Sequence, residues 1–235
     1  MSHFTVAVFH KKHQDIDELL APYSENLQVE PYISFTRQEA IDYARKNIHG
    51  YADKTDQECW QFMADNAGES MTDADGNILS TYNPKSKWDW YSEGGRWGGF
   101  LKVGKGYLDS ARVKDIDFSM DQEAYQDALR FWDVAVDHKP AKPDEEYNAF
   151  YKEEYYRDYF GDRETYARHQ AQFSTFAVVT PDGEWHEKGH MGWFACSDET
   201  PEEAKDWEDH YKERFIDTAL AADEDIYLTI IDCHI

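Results

Sequence analysis

The two ends of the chain carry the clearest β-strand patterns. His3–Phe9 is rich in valine, threonine and phenylalanine, and Ile226–Cys233 is dominated by β-branched side chains, so both segments are predicted strands. Ser174–Val179 has the same character and is a third predicted strand. Turn residues between apolar positions predict shorter strands or hairpins at Met71–Tyr82, Leu108–Phe118 and Glu184–Phe194.

Predicted helices begin at capping residues and carry apolar side chains at spacings of three and four. Thr36 and Glu39 form a capping box in front of one such helix. Thr200-Pro201 places an N-cap residue before a proline at the first helical position, which is the strongest helix start in the chain. The other predicted helices lie at 55–66, 119–138, 144–160 and 162–173.

This order of elements predicts an α+β fold. An antiparallel sheet with helices on one face, ferredoxin-like in pattern, is the simplest arrangement that buries the strands at both ends. Residues 50–172 then form a large helical and hairpin insertion. The chain contains no repeat and no low-complexity linker, which favours a single composite domain over residues 1–235.

Composition and charge exclude several classes of protein. The net charge is −24, and residues 174–235 alone carry 16 acidic and 4 basic side chains. This charge disfavours direct binding to nucleic acid or to an anionic membrane. No apolar run reaches the roughly 18–20 residues of a membrane span, and the aromatic content of 16% argues against disorder. A surface that mimics DNA phosphates is one interpretation of the acidic residues, and a solvated surface is the one we favour.

Cysteine usage and the N-terminus favour a cytoplasmic location. Cys59, Cys196 and Cys233 are far apart in sequence and form neither a disulfide framework nor a zinc knuckle. The segment Met1–Val6 has neither the basic nor the apolar region of a signal peptide.

One segment, 83–106, differs from the rest of the chain. It holds five basic and two acidic residues and six of the 13 glycines, so its local charge is reversed. A Gly-Gly pair lets backbone N–H groups converge on an anion, arginine fits a phosphate in bidentate fashion, and tryptophan stacks on a base or sugar. The predicted ligand-binding residues are Trp88, Trp90, Tyr91, Gly94, Gly95, Arg96 and Trp97.

The same segment also fits a purely structural role. Trp88 and Trp90 alternate as strand residues do, and Gly94-Gly95 would form a hairpin turn, with Trp97 starting the return strand. Arg96 would then pair with Asp89 or Glu93. The two interpretations are compatible, and we favour the hairpin.

Three segments resemble a family of bacteriophage and prophage proteins. They are His3-Phe4-Thr5-Val6, Trp88-Asp89-Trp90-Tyr91 with Gly94-Gly95-Arg96-Trp97, and Asp232-Cys233-His234-Ile235. The resemblance runs over most of the chain and implies a viral accessory protein that acts in the host cell cytoplasm. It implies no activity and no catalytic residues.

Histidines provide two candidate metal sites, neither of which we favour. His186-Glu187-Lys188-Gly189-His190 matches the H-E-x-x-H pattern of zinc proteases, but its glycine and flanking turn favour a hairpin over the required helix. If the first and last strands pair antiparallel, His3 and His234 come close, and Asp232, Cys233, His186 or His190 could join them.

We therefore expect an accessory protein without cofactors that binds a host protein or a small ligand and does not act as an enzyme. One alternative is a protein or enzyme that binds a nucleotide or another phosphorylated ligand at Gly94-Gly95-Arg96. A second is a metal-dependent hydrolase at His186, Glu187 and His190. The many aromatic side chains leave a homodimer open as well.

Overall fold

A computed structural model describes residues 2–67, 71–192 and 196–235. The strands are β1 (His3–Lys11), β2 (Tyr32–Phe35), β3 (Ile78–Ser80), β4 (Trp90–Glu93), β5 (Leu101–Val103), β6 (Gly106–Leu108), β7 (Ser110–Arg112), β8 (Ala177–Val179), β9 (Trp185–Glu187) and β10 (Ile226–His234). The helices are α1 (Ile16–Leu20), α2 (Arg37–Asn47), α3 (Asp56–Ala67), α4 (Gln122–Phe131), α5 (Glu153–Phe160), α6 (Arg163–Ala171), α7 (Pro201–Tyr211) and α8 (Thr218–Leu220). Single π-helical stretches extend α4 through Val136 and join α7 to α8.

The chain divides into two compact units. The larger contains Met1–Ala21 and Lys87–Ile235, and the smaller contains Pro22–Ser86. The predicted insertion at 50–172 thus overlaps both units, and the smaller unit begins well before residue 50.

A six-stranded sheet forms the centre of the larger unit. Its order is β4-β10-β1-β8-β9, and β7 also pairs with β10. β1 and β10 pair antiparallel over nine residues each, from His3 opposite His234 to Lys11 opposite Ile226. The α+β class predicted from the sequence is confirmed. The antiparallel pairing of the first and last strands, which was the condition for bringing His3 and His234 together, is met.

One strand pair departs from the predicted pattern. β1 and β8 are neighbours and run parallel, whereas a ferredoxin-like sheet places an antiparallel strand between the two parallel strands of each βαβ unit. The sheet is therefore mixed. The long connection between β1 and β8 supplies the crossover that a parallel pair requires.

Both faces of the sheet are covered by apolar side chains, because strand residues alternate between the faces. On one face Ala7, Phe9, Leu228 and Ile230 pack with aromatic residues of the α7 region. On the other, the core consists of Phe4, Val6, Val8, Leu19, Leu20, Ala177, Val179, Met191, Ile231 and Cys233. Burial on both sides explains why the terminal strands are almost continuously apolar.

The start of α7 confirms the predicted N-cap and proline, and a capping box is formed as well. Thr200 accepts a hydrogen bond from the Glu203 N–H, Glu203 caps the Thr200 N–H in return, and Pro201 occupies the first turn. In the smaller unit, the same reciprocal pattern at Thr36 and Glu39 begins α2. There α2 and α3 pack through Ile41, Ala44 and Cys59.

Two local predictions need correction. The helix predicted over 144–160 begins only at Glu153. The helix predicted over 119–138 begins at Gln122, and its cap is Asp121, whose carboxylate accepts two backbone N–H bonds. The hairpin predicted at Met71–Tyr82 is confirmed by the antiparallel bridge between Thr72 and Ile78, and its second strand, β3, also pairs with β2. The predicted strand at Glu184–Phe194 is seen as β9, while residues 193–194 lie outside the described part of the chain.

Among the described residues, no helix combines the length and apolar character that crossing a bilayer requires.

A buried histidine links the two terminal strands. His10 Nδ1 donates to the Lys11 carbonyl, and Nε2 accepts from the Thr229 hydroxyl at 3.0 Å, which is the neutral tautomer. Burial holds the pKa of His10 below its ordinary value. The unfolded chain therefore takes up this proton first as the pH falls.

We expect His10 to destabilise the folded protein on acidification. Below about pH 6.5 the unfolded His10 is protonated while the folded one resists protonation, so stability is lost until the pH passes the lower folded pKa. Urea unfolding at pH 7.5 and at pH 5 should show a smaller loss for His10→Gln than for the wild type. His13→Gln, which changes an exposed histidine, is the matched control. Equal losses in all three proteins would contradict this role for His10.

Candidate functional site

One face of the sheet changes from apolar to polar towards the end of β10. The buried apolar residues Leu228 and Ile230 are followed on the same face by Asp232 and His234. His3 lies opposite His234 in the register of β1 and β10. Three ionisable side chains are thereby placed side by side at the edge of the core.

Two histidine–carboxylate pairs occupy this polar end. His3 Nδ1 lies 2.8 Å from Asp232 Oδ1, and His234 Nδ1 lies 2.7 Å from Asp89 Oδ1. A carboxylate can only accept, so each imidazole donates from Nδ1, and the Nε2 atoms face away from the carboxylates. The two rings meet edge to face, with centroids 5.0 Å apart. We call this arrangement the histidine pair.

The histidine pair is covered by an aromatic side chain. Trp90 stacks on His234 with ring centroids 5.0 Å apart and contacts His3 edge to face at 5.3 Å. Trp90 nevertheless remains 46% exposed. Beneath it, His234 Nε2 is buried and has no hydrogen-bond partner. A buried nitrogen of this kind costs about 1–3 kcal/mol of desolvation free energy when it is left unpaired.

The glycine-rich loop after β4 wraps around two carboxylates of the chain itself. The Arg96 N–H donates to Asp232 Oδ2 at 3.0 Å, and the Gly99 N–H donates to Asp109 Oδ1 at 2.5 Å. Asp232 therefore joins the loop to His3 through its two oxygens. Of the Gly94-Gly95 pair that the sequence suggested for an anion, the Gly94 N–H donates to the Ile230 carbonyl at 2.8 Å, and the neighbouring N–H groups of the loop hold internal carboxylates.

Glycine is required at the two positions closest to those carboxylates. A Cβ atom on Gly95 would lie 2.4 Å from the Asp232 Cβ, and one on Gly94 would lie 2.6 Å from the Asp109 Cγ. Both residues also have positive φ, at +52° and +65°, which side chains disfavour. The Gly-Gly pair thus lets the loop approach the end of β10.

The structure separates the predicted ligand-binding residues. Trp90 lies on the histidine pair. The backbone N–H of Arg96 reaches Asp232, and the Arg96 side chain is exposed with no acidic partner among the described residues. Trp88 and Tyr91 pack on the opposite face, where Trp88 donates to the Leu20 carbonyl. Trp97 packs against the α7 core from a 3₁₀ turn and does not begin a return strand.

The H-E-x-x-H motif does not lie on a helix. His186 and Glu187 belong to β9, and Glu187 binds Lys87 at 2.5 Å and the Trp185 indole at 2.8 Å. His186 lies against the Phe215 ring instead. The predicted hairpin is thus confirmed in place of the helix that zinc-protease chemistry needs.

The second predicted metal cluster is only partly assembled. His3, His234 and Asp232 come together, but Asp232 is bound to His3. Cys233 points to the other face, where burial raises the pKa of its thiol and disfavours the metal-binding thiolate. Within the described ranges, no group of three or more histidine, cysteine or acidic side chains has an arrangement that could hold a metal ion.

Two site residues had no usable sequence signal. Asp89 was considered only as a partner for Arg96, and it binds His234 from 145 positions away. Asp109 is one of 48 acidic residues, and only the folded loop shows that it receives the Gly99 N–H.

Comparison of the chain with protein-family models, with curated proteins and with solved structures gives no match.

We expect Gly95→Ala to disrupt the histidine pair. The added methyl group collides with Asp232, and overpacking of this kind costs roughly 1–3 kcal/mol. Gly104→Ala is the matched control, because Gly104 also has positive φ, at +59°, but no atom lies within 4 Å of the added carbon. Urea unfolding followed by tryptophan fluorescence should show a larger loss of stability for Gly95→Ala. Equal losses would mean that backbone strain alone, and not contact with Asp232, requires glycine at position 95.

Proposed function

We propose that the protein is a phage-type accessory protein that binds a small phosphorylated ligand with an aromatic ring, such as a nucleotide, at the histidine pair. The observation that carries this proposal is the buried, unpartnered Nε2 of His234 under the exposed Trp90 ring. Buried polar atoms are normally satisfied, so an unpartnered one beside an accessible aromatic surface favours a ligand as the missing partner. The proposal assigns binding and no turnover.

The aromatic part of the ligand is assigned to Trp90. One side of its indole is occupied by His234, and the side chain keeps nearly half of its surface accessible. Stacking of a base on such a ring contributes about 1–3 kcal/mol and tolerates different bases.

The phosphate is assigned to Arg96. Two other cations of the 87–106 part, Lys87 and Lys102, are bound to Glu187 and Asp117, whereas no ion pair to Arg96 is found in the described part of the chain. A guanidinium presents a planar fork that matches a phosphate. The Arg96 N–H is bound to Asp232, which binds His3 in turn, so Arg96 is anchored next to the histidine pair.

This assignment changes the role of the glycines. The N–H groups of Arg96 and Gly99 already hold Asp232 and Asp109, so side chains, and not a backbone nest, would bind the phosphate. Gly94 and Gly95 serve the site by letting the loop pack against the sheet.

No observation favours the metal-dependent hydrolase at His186, Glu187 and His190. Glu187, which would have to activate water, is held by Lys87 and Trp185. His186 lies on strand β9 and not on the helix that the motif needs.

Titration calorimetry with ATP, AMP and adenosine tests the proposed binding. We expect the two nucleotides to bind more tightly than adenosine, because only they carry the phosphate that Arg96 recognises. Arg96→Ala should weaken nucleotide binding by about tenfold or more, and Trp90→Ala should weaken binding of all three ligands.

Two matched variants serve as controls. Lys105→Ala removes a cation of the same segment outside the site, and Tyr107→Ala removes an aromatic side chain that is 67% exposed. Neither should change the affinity. Absence of binding to any of the three ligands, or equal weakening by Arg96→Ala and Lys105→Ala, would reject the site.

A further inference from the structure

A row of aromatic rings lies on the surface of the larger unit, in the segment from residue 150 to residue 159. Phe150, Tyr151, Tyr155 and Tyr159 contact one another in succession, with ring centroids 4.9, 4.2 and 5.4 Å apart. The first three are 87%, 50% and 38% exposed. We call these four residues the aromatic row.

The aromatic row is not needed to fill the core beneath it. On the inner side of α5, Tyr156 and Phe160 pack on Tyr166 of α6, and Tyr156 is buried. Tyr155 and Tyr159 lie one turn apart on another side of α5, and Tyr151 stacks on Tyr155 from the segment before the helix. Tyr159 is half-buried and donates to Glu199 at 3.0 Å, so the exposed part of the row consists of Phe150, Tyr151 and Tyr155. Contiguous exposed apolar surface of this kind marks interaction sites in soluble proteins.

Acidic side chains lie beside the aromatic row on the same helix. Glu154 and Asp158 are one turn apart and exposed, and neither has an ion-pair partner among the described residues. The basic neighbour Arg157 is bound to Asp137, and His138 is bound to Glu153. Lys152, which precedes α5, is an exposed cation. Glu154 and Asp158 outnumber it, so the surface around the rings carries net negative charge.

We propose that the aromatic row, with Glu154 and Asp158, is a docking surface for an arginine-bearing segment of a partner protein. A guanidinium stacks its face on a tyrosine ring and pairs with carboxylates through its N–H edge. A surface on which rings and acids alternate therefore offers arginine both interactions. Lysine, whose ammonium does not stack as a plane, fits less well.

Two other kinds of partner are disfavoured at this surface by their charge. A second copy of this chain also carries −24 and would bring acidic side chains against Glu154 and Asp158. A nucleic acid would be repelled in the same way. Complementarity therefore selects a basic protein segment, and this surface is independent of the proposed ligand site.

The test uses a labelled peptide of about ten residues that alternates arginine and glycine, and its lysine counterpart, each followed by fluorescence anisotropy with the full chain. We expect the arginine peptide to bind more tightly. The double variant Phe150→Ala with Tyr151→Ala should weaken that binding by about tenfold or more. Because both replaced residues are neutral, the net charge of the protein stays at −24, and a non-specific attraction to the peptide would be unaffected.

The control removes two exposed apolar side chains elsewhere. Tyr107 and Leu108 are 67% and 47% exposed, and replacing both with alanine should leave the affinity unchanged. Circular dichroism and thermal melting check that both double variants are folded. Equal binding by wild type and the Phe150/Tyr151 variant would overturn the proposal. So would a wild-type dimer that this variant dissociates, because the aromatic row would then be a self-association surface.

Discussion

The pairing of β1 with β10 is the interaction on which the larger unit depends. These strands are separated by more than two hundred residues, yet they match one another over nine residues without a bulge. A shift of one residue would turn every side chain to the opposite face, so the two apolar cores specify this register. Once it is set, β4 and β7 add to β10 and β8 adds to β1. The same register places His3 against His234.

Carboxylates hold the polar end of this strand pair, because they accept hydrogen bonds both from side chains and from backbone N–H groups. Asp232 binds His3 through one oxygen and the glycine-rich loop through the other. Asp109 receives a second N–H of that loop. The conformation of the loop therefore depends on the buried Asp232 and the half-buried Asp109, and the histidine pair depends on the loop. A hydrogen-bond network stabilises a single arrangement when each of its members has a partner. The unpartnered Nε2 of His234 is the exception within this network.

Charge differs between two places on the surface of the larger unit. The sequence around Arg96 has a local excess of basic residues within a strongly acidic chain, and there we propose that an anion binds. Along α5, exposed tyrosines stand beside exposed acids, and there we propose that an arginine-bearing segment docks. The acidic surface in general repels other anions through its field.

The sequence by itself determined the elements whose signals are local. The capping box at Thr36, the N-cap at Thr200 and the apolar terminal strands were predicted from neighbouring residues, because caps and strand patterns depend on contacts within a few positions. The aromatic density of 144–160 suggested one helix, but the structure begins α5 only at Glu153, since aromatic residues specify burial and not helix length. Tertiary structure alone decided the parallel β1–β8 pair and which of the predicted site residues meet. Trp90 and Tyr91 are neighbours in β4, and the pleat sends Trp90 to the histidine pair and Tyr91 to the core on the opposite face. Asp89 and Asp109 could not be chosen from among 48 acids, because their partners are fixed by strand register and loop closure, which no local pattern encodes.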